Sequence, residues 1–260
     1  MYPPERIVCL TEETTETLYL LGEQHRIVGI SGYTVRPPQA RKEKPRVSAF
    51  ISADIPKILA LEPDLVLTFS DLLAEIVAAL IRAGISVHAF NQRTVAGILE
   101  MIRTLGALVG ATDRANALTE RLAANLESTR RRTANHGKHP KVYFEEWDEP
   151  MISGIGWVSE LIAIAGGVDI FPEFAACKSA KDRIATLEAV IGRAPDVIIG
   201  SWCGKKFSKE KVAARPGFNA IPAVRERRLY EIKSALILQP GPAALTDGLV
   251  ALENIILGSP

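Results

Sequence analysis

The sequence predicts an α/β protein: two Rossmann-like parallel-sheet lobes joined by one long backbone helix. Three observations predict it. Short, near-continuous aliphatic segments alternate with helical ones towards both ends of the chain, the pattern of strands covered on both faces of a parallel sheet. Between residues 95 and 134 the pattern is helical throughout. Finally, ADIPKILALEPDLVLTFS (53–70) aligns without a gap on ATLEAVIGRAPDVIIGSW (185–202), so one helix–turn–strand module occurs twice.

The elements follow in order. RIVCL (6–10) reads as a buried strand, and residues 11–22 as a helix capped by Thr15 or an earlier threonine, with Leu18 and Leu21 inside. RIVGIS (26–31) and KPRVSAF (44–50) give two more strands. A helix over 53–61 carries Ile55, Ile58 and Leu59 at helical spacing, Pro63 ends it, and LVLTF (65–69) is the next strand. A helix over 73–83 stops at Gly84, and ISVHAF (85–90) follows. In the helical region Leu118, Leu122 and Leu126 recur every four residues, Asp113 reads as a cap, and Arg130, Arg131 and Arg132 lie where a helix end favours cations. HGKHP (136–140) is a turn, and KVYFEEW (141–147) restarts the alternation. The boundaries expected are a first lobe over 1–110, a linking helix over 111–136 and a second lobe over 137–260.

Composition excludes several classes. Lys and Arg number 31 against 30 Asp and Glu, a net charge of +1, which argues against a nucleic-acid binder. The most apolar window, 65–81, is interrupted by Asp71 and Glu75, so no membrane span is expected. Cys9, Cys177 and Cys203 form no CxxC and are odd in number, which disfavours a disulfide framework. The start, Met1 to Glu5 before an apolar run, lacks the parts of a secretory leader. The expectation is a periplasmic protein if a leader was removed and a cytoplasmic one if Met1 is the native start.

Chemistry-bearing motifs are few. His25, His88, His136 and His139 have no ligand spacing, so no metal site is expected. Gly200 to Lys206 is one residue short of a P-loop and has Lys206 where a Ser or Thr would hold magnesium. Cys203, just after a strand, reads either as a reactive thiol or as an inert buried one. Nothing demands catalysis, and the chain is read as a non-enzyme. The acidic run EEWDEP (145–150) ends a strand, where ligands of such sheets bind. Trp147, Trp157 and Trp202 fall at strand ends or early helix positions of the second half, and Phe50 and Phe69 at strand ends of the first. Flat aromatics there suit a broad, partly apolar ligand; packing is the alternative for each.

The runs RIVCLTEETTETLYLLGEQHRIVGISGYTVRPPQA, PRVSAF, ADIPKILALEPDLVLTFSD, GIGWVSELIAIAGGVDIF and LQPGPAAL, in that order, resemble the substrate-binding proteins of ABC importers for cobalamin and iron-siderophores, and most of all the cobalamin-binding branch. The resemblance implies a monomeric receptor with a corrinoid, cobalamin or a precursor, in the cleft between its lobes, and an ABC permease as partner. It implies ligand contacts at Tyr33, Phe50, Phe69, Ser70, Glu146, Trp147, Ser201, Trp202 and Gln239, and a permease-docking role for Glu75. Leu238 and Gln239 stand where a second docking glutamate is expected. Two alternatives stay open. One is an iron-siderophore or haem ligand, with Arg36, Lys205 and Lys206 as cations and the Glu145-Glu146 pair opposing it; the other is a cytosolic corrinoid-handling enzyme or chaperone using Cys203.

Overall fold

The computed structural model describes residues 3–49 and 52–258. The chain divides into two compact units, Met1–Gln92 with Ala96–Arg121, and Arg93–Val95 with Leu122–Pro260.

Unit 1 holds β1 (Ile7–Cys9), α1 (Glu12–Leu20), β2 (Ile27–Ser31), α2 (Ala40–Glu43), β3 (Arg46–Ser48), α3 (Ile55–Ala60), β4 (Leu65–Phe69), α4 (Ala74–Arg82) and β5 (Val87–Phe90). The strands form one sheet in the order β3-β2-β1-β4-β5, every neighbouring pair parallel. Val8, Leu10, Val47, Ile58, Val66 and Leu80 pack together in the core. This is why the strands read as unbroken aliphatic runs: both faces are buried. The third strand is shorter than its sequence suggests, and Phe50 lies outside the described residues.

The helical region holds two helices, α5 (Val95–Leu108) and α6 (Thr112–Ala134). Gly110 separates them with φ of 72°, a left-handed conformation that glycine adopts without the Cβ clash of other residues. α6 carries the chain from the first unit into the second, and Leu118, Leu122 and Leu126 are its buried stripe.

Unit 2 contains β6 (Lys141–Asp148), β7 (Met151–Ser153), α7 (Gly156–Ile164), β8 (Val168–Asp169), α8 (Leu187–Arg193), β9 (Val197–Gly200), α9 (Lys209–Ala213), α10 (Pro222–Arg225), β10 (Leu229–Glu231), α11 (Ser234–Ile237) and α12 (Leu249–Leu257). The order is β10-β9-β6-β7, with β8 also on β6. The pairs of β6 with β9, β9 with β10 and β6 with β8 are parallel, but β7 turns back antiparallel on β6. The expected wholly parallel second sheet is therefore mixed. Glu149-Pro150 joins β6 to β7 in a tight connection, which only an antiparallel pair allows.

The repeat is structural down to single bonds. α3 is capped by Asp54, whose carboxylate accepts from Lys57 N at 3.0 Å; α8 is capped by Thr186, whose hydroxyl accepts from Ala189 N at 3.2 Å. Glu62 and Ala194, each before the proline, take φ of 46° and 47°. Asp64 accepts from Arg6 N at 3.0 Å, and Asp196 from Lys141 N at 2.8 Å. Even the side chains of Arg6 and Lys141 repeat, reaching the helix-end carbonyls of Leu61 and Arg193. Cations there complement the helix dipole.

Candidate functional site

The carboxyl ends of the parallel strands are where each unit can present side chains to a ligand. In unit 1 the turn after β2 is closed by Gly32 N donating to Ser48 O at 2.7 Å and Thr34 N donating to Ser31 O at 3.1 Å. Tyr33 is thereby held outwards, 47% exposed. Phe69 ends β4 half-buried. Ser70 is buried with φ of 61°, its N–H donating to Phe90 O at 2.8 Å and its hydroxyl accepting from Leu72 N at 3.4 Å. It acts as the pivot between β4 and the turn that leads to α4. Glu75 is exposed in the first turn of α4.

Glu12 and Glu13 open α1, where the helix dipole favours negative charge. Glu13 is buried nonetheless, and accepts a hydrogen bond from Thr11 Oγ1 at 2.6 Å. Burial pushes its carboxyl up to about 8, despite that bond. Cys9 beneath it is pushed up to about 12, again by burial, which leaves an unreactive thiol.

Unit 2 is organised around the acidic run that ends β6. Glu145 is fully buried. Arg215 grips it with Nη1 at 2.6 Å and Nη2 at 2.9 Å, and Tyr143 Oη and Trp202 Nε1 each donate to it at 3.0 Å. Glu146, on the opposite face of the strand, takes Arg183 Nη1 at 2.6 Å, and Arg183 is itself buried. Asp148 is paired with Lys205 and, at 3.1 Å, with Lys211. Burial raises the Asp148 carboxyl, but hydrogen bonds from the two lysines outweigh that and hold it below the ordinary carboxylate range. Three acids of one strand end thus each have their own cation, as burial of charge requires.

This arrangement relocates several of the expected contacts. Trp202 is 4% exposed, meets Phe207 edge to face at 5.0 Å and belongs to the core cluster of its unit. Gly200 makes room for that packing, since a Cβ there would meet the Phe207 ring at 1.8 Å. Ser201 is buried as well, its N–H donating to Glu145 O at 2.9 Å. Glu146 is occupied by Arg183. Trp202 and Ser201 are built into the interior of unit 2 rather than offered at a surface, while the Glu146 side chain stays 23% exposed. Trp147 is half-buried, its Nε1 donating to Glu149 O at 3.0 Å, and Gln239 is half-buried beside the Gly241 turn. Trp157 is buried, its Nε1 donating to Ile237 O at 2.8 Å.

Sequence reasoning missed Arg183, Arg215, Lys211 and Glu13. A signal was present: acids clustered at the end of a strand whose middle is apolar need cations from elsewhere. Among the described residues no three His, Cys, Asp or Glu side chains gather as a metal cluster, and no helix is long and apolar enough to cross a membrane.

Comparison with known proteins follows this geometry. An uncharacterized ABC transporter substrate-binding lipoprotein of Bacillus subtilis is 26% identical over 97% of this chain and 80% of its own length. The vitamin B12-binding protein of Vibrio campbellii is 25% identical over 92% of this chain and 84% of its own. The solved periplasmic vitamin B12-binding protein of Vibrio cholerae superposes with a TM-score of 0.76 at 23% identity, covering 99% of each chain. A periplasmic heme-binding protein from Roseiflexus reaches 0.82 at 24% identity, covering 97% of this chain and 99% of its own. These structural likenesses establish a common fold. The sequence relatives are substrate-binding proteins, not enzymes. With the family model for periplasmic binding proteins matching residues 7–236, the chain belongs to the periplasmic binding protein family.

Proposed function

We propose that the chain is the substrate-binding component of an ABC-type importer and that it holds a corrinoid, cobalamin or one of its precursors. The observation that carries this reading is the similarity to a vitamin B12-binding protein along 92% of the chain. The strand ends supply suitable chemistry. Tyr33, Phe69 and Trp147 offer flat apolar surface, and Phe50 is a further proposed contact. Ser70 and Gln239 offer hydrogen bonds to peripheral amides, which would otherwise lose about 1–3 kcal/mol each on burial. Trp202, tied to Glu145, holds the start of the loop that follows β9, while Glu146 ties β6 to the Arg183 segment and the buried Ser201 hydroxyl has no bond of its own among the described residues. A net charge of +1 suits a large ligand with little charge of its own. Exposed Glu75 is the proposed contact to the permease, and the proposed place of work is the periplasm, which the description of its family names.

The test is a titration of purified protein with hydroxocobalamin, followed by corrin absorbance. Saturable binding supports the reading, and none at about 100 μM removes it. A haem or ferric siderophore is the second reading. It is favoured by the pairing of Glu145 with Arg215 and Glu146 with Arg183, which cancels the acidic charge that would oppose an anion. Parallel titrations with hemin and a ferric catecholate decide between them.

A further inference from the structure

The ammonium of Lys205 is a group that the corrinoid reading does not use. Its Nζ lies 4.0 Å from the centroid of the Trp147 ring and 5.1 Å from that of Trp202, and it pairs with Asp148. Two indole faces and one carboxylate around an ammonium are the parts of an organic-cation cage. The ring quadrupoles attract positive charge, and the attraction grows as water is excluded. The walls are fixed. Trp202 is held by its bond to Glu145 and by Phe207, and Trp147 by its bond to the Glu149 carbonyl.

The occupant is less fixed than the walls. Lys205 is 38% exposed, and it follows Gly204, a surface turn residue with φ of 78°. Asp148 is 1% exposed, so stranding it without a cation would be costly. It is not stranded when Lys205 leaves, because Lys211 also reaches it at 3.1 Å. Lys211 is shared, however, with Glu149 at 3.0 Å. With Lys205 withdrawn, two carboxylates face one ammonium, and the deficit is one positive charge. An anion would worsen that balance and a monocation restores it.

We propose that Trp147, Trp202 and Asp148 form a binding site for a small alkylammonium, whose resident occupant is the protein's own Lys205. Lys205 is then a built-in plug. A free organic cation takes the same place when the lysine side chain swings out, and removing the lysine side chain opens the cage permanently.

Tetramethylammonium chloride is the probe, with sodium chloride at equal ionic strength as the reference and tryptophan fluorescence as the readout. Lys205→Ala binds it saturably and at least about tenfold more tightly than the unaltered chain. Adding Trp147→Ala to that variant abolishes the response, while Lys205→Met, which refills the cage with an uncharged side chain, does not bind. The proposal is overturned if Lys205→Ala responds to tetramethylammonium no more than to sodium. It is also overturned if the Trp147→Ala double variant, folded by circular dichroism, binds as well as Lys205→Ala. Neither result depends on whether the protein binds a corrinoid.

Discussion

In unit 1 Asp64 ties the turn before β4 to the start of β1, and in unit 2 Asp196 ties the turn before β9 to the start of β6, with the same pairing of backbone groups. Helix caps, left-handed pre-proline residues and basic side chains at the helix ends repeat in step. At the other end of the same strands the likeness stops. β4 runs out into Phe69 and Ser70, while β9 runs into Ser201 and the buried Trp202. Among the acidic groups Glu13 of unit 1 stands apart: it is buried with a hydroxyl for company, whereas Glu16 and Glu23 of the same unit and Glu145, Glu146 and Asp148 of unit 2 each meet a cation. Residues that build the module are held constant between the two units, and residues at the carboxyl ends of the strands differ.

The largest effect comes from breaking the unit 2 arrangement. Glu145→Ala leaves Arg215 largely buried without its partner and frees the Trp202 indole N–H, so urea unfolding should report a loss of about 3–5 kcal/mol. Glu146→Ala, whose partner Arg183 keeps its bond to the Ser153 carbonyl, should cost less.

Unit 1 should reveal its difference through pH. The Glu13 carboxyl is raised to about 8 from an ordinary 4.5. Between those values the unfolded chain has released the proton and the folded chain retains it. Stability attributable to this group is therefore full below about 4.5 and is lost as pH rises towards 8, with a slope of at most about 1.4 kcal/mol per pH unit. Glu13→Gln should flatten that decline, and thermal melts from pH 5 to 8 measure it. Asp148 of unit 2 should give no matching decline, since it is shifted the other way.

The shared module predicts smaller, parallel losses. Asp64→Ala should cost about 1–2 kcal/mol, and Asp196→Ala somewhat less. The order follows from Asp64 accepting from both Glu5 N and Arg6 N, while Asp196 accepts from Lys141 N. Smallest are the caps. Asp54→Ala and Thr186→Ala should each cost about 1 kcal/mol, and a marked inequality between them would show that the repeat is one of shape without shared energetics.

Much of the architecture was legible because it rests on local pattern. Buried strands such as Leu65–Phe69 are aliphatic runs, and the repeat aligns without a gap. The reversal of β7 was hidden because three residues carry no directional signal. The strand-end chemistry was least legible. Glu145 is 70 residues from Arg215, and Asp148 is 57 from Lys205. Only the fold brings them together, and only burial shows that Trp202 is a wall of the interior.

The central claim is that this chain holds a corrinoid. Calorimetric titration of hydroxocobalamin into the unaltered chain, Tyr33→Ala and Trp147→Ala tests it most directly. The account predicts saturable binding by the unaltered chain, weakened at least about tenfold by either substitution with little change in melting temperature. Absent binding, or full affinity retained in both variants, would contradict it.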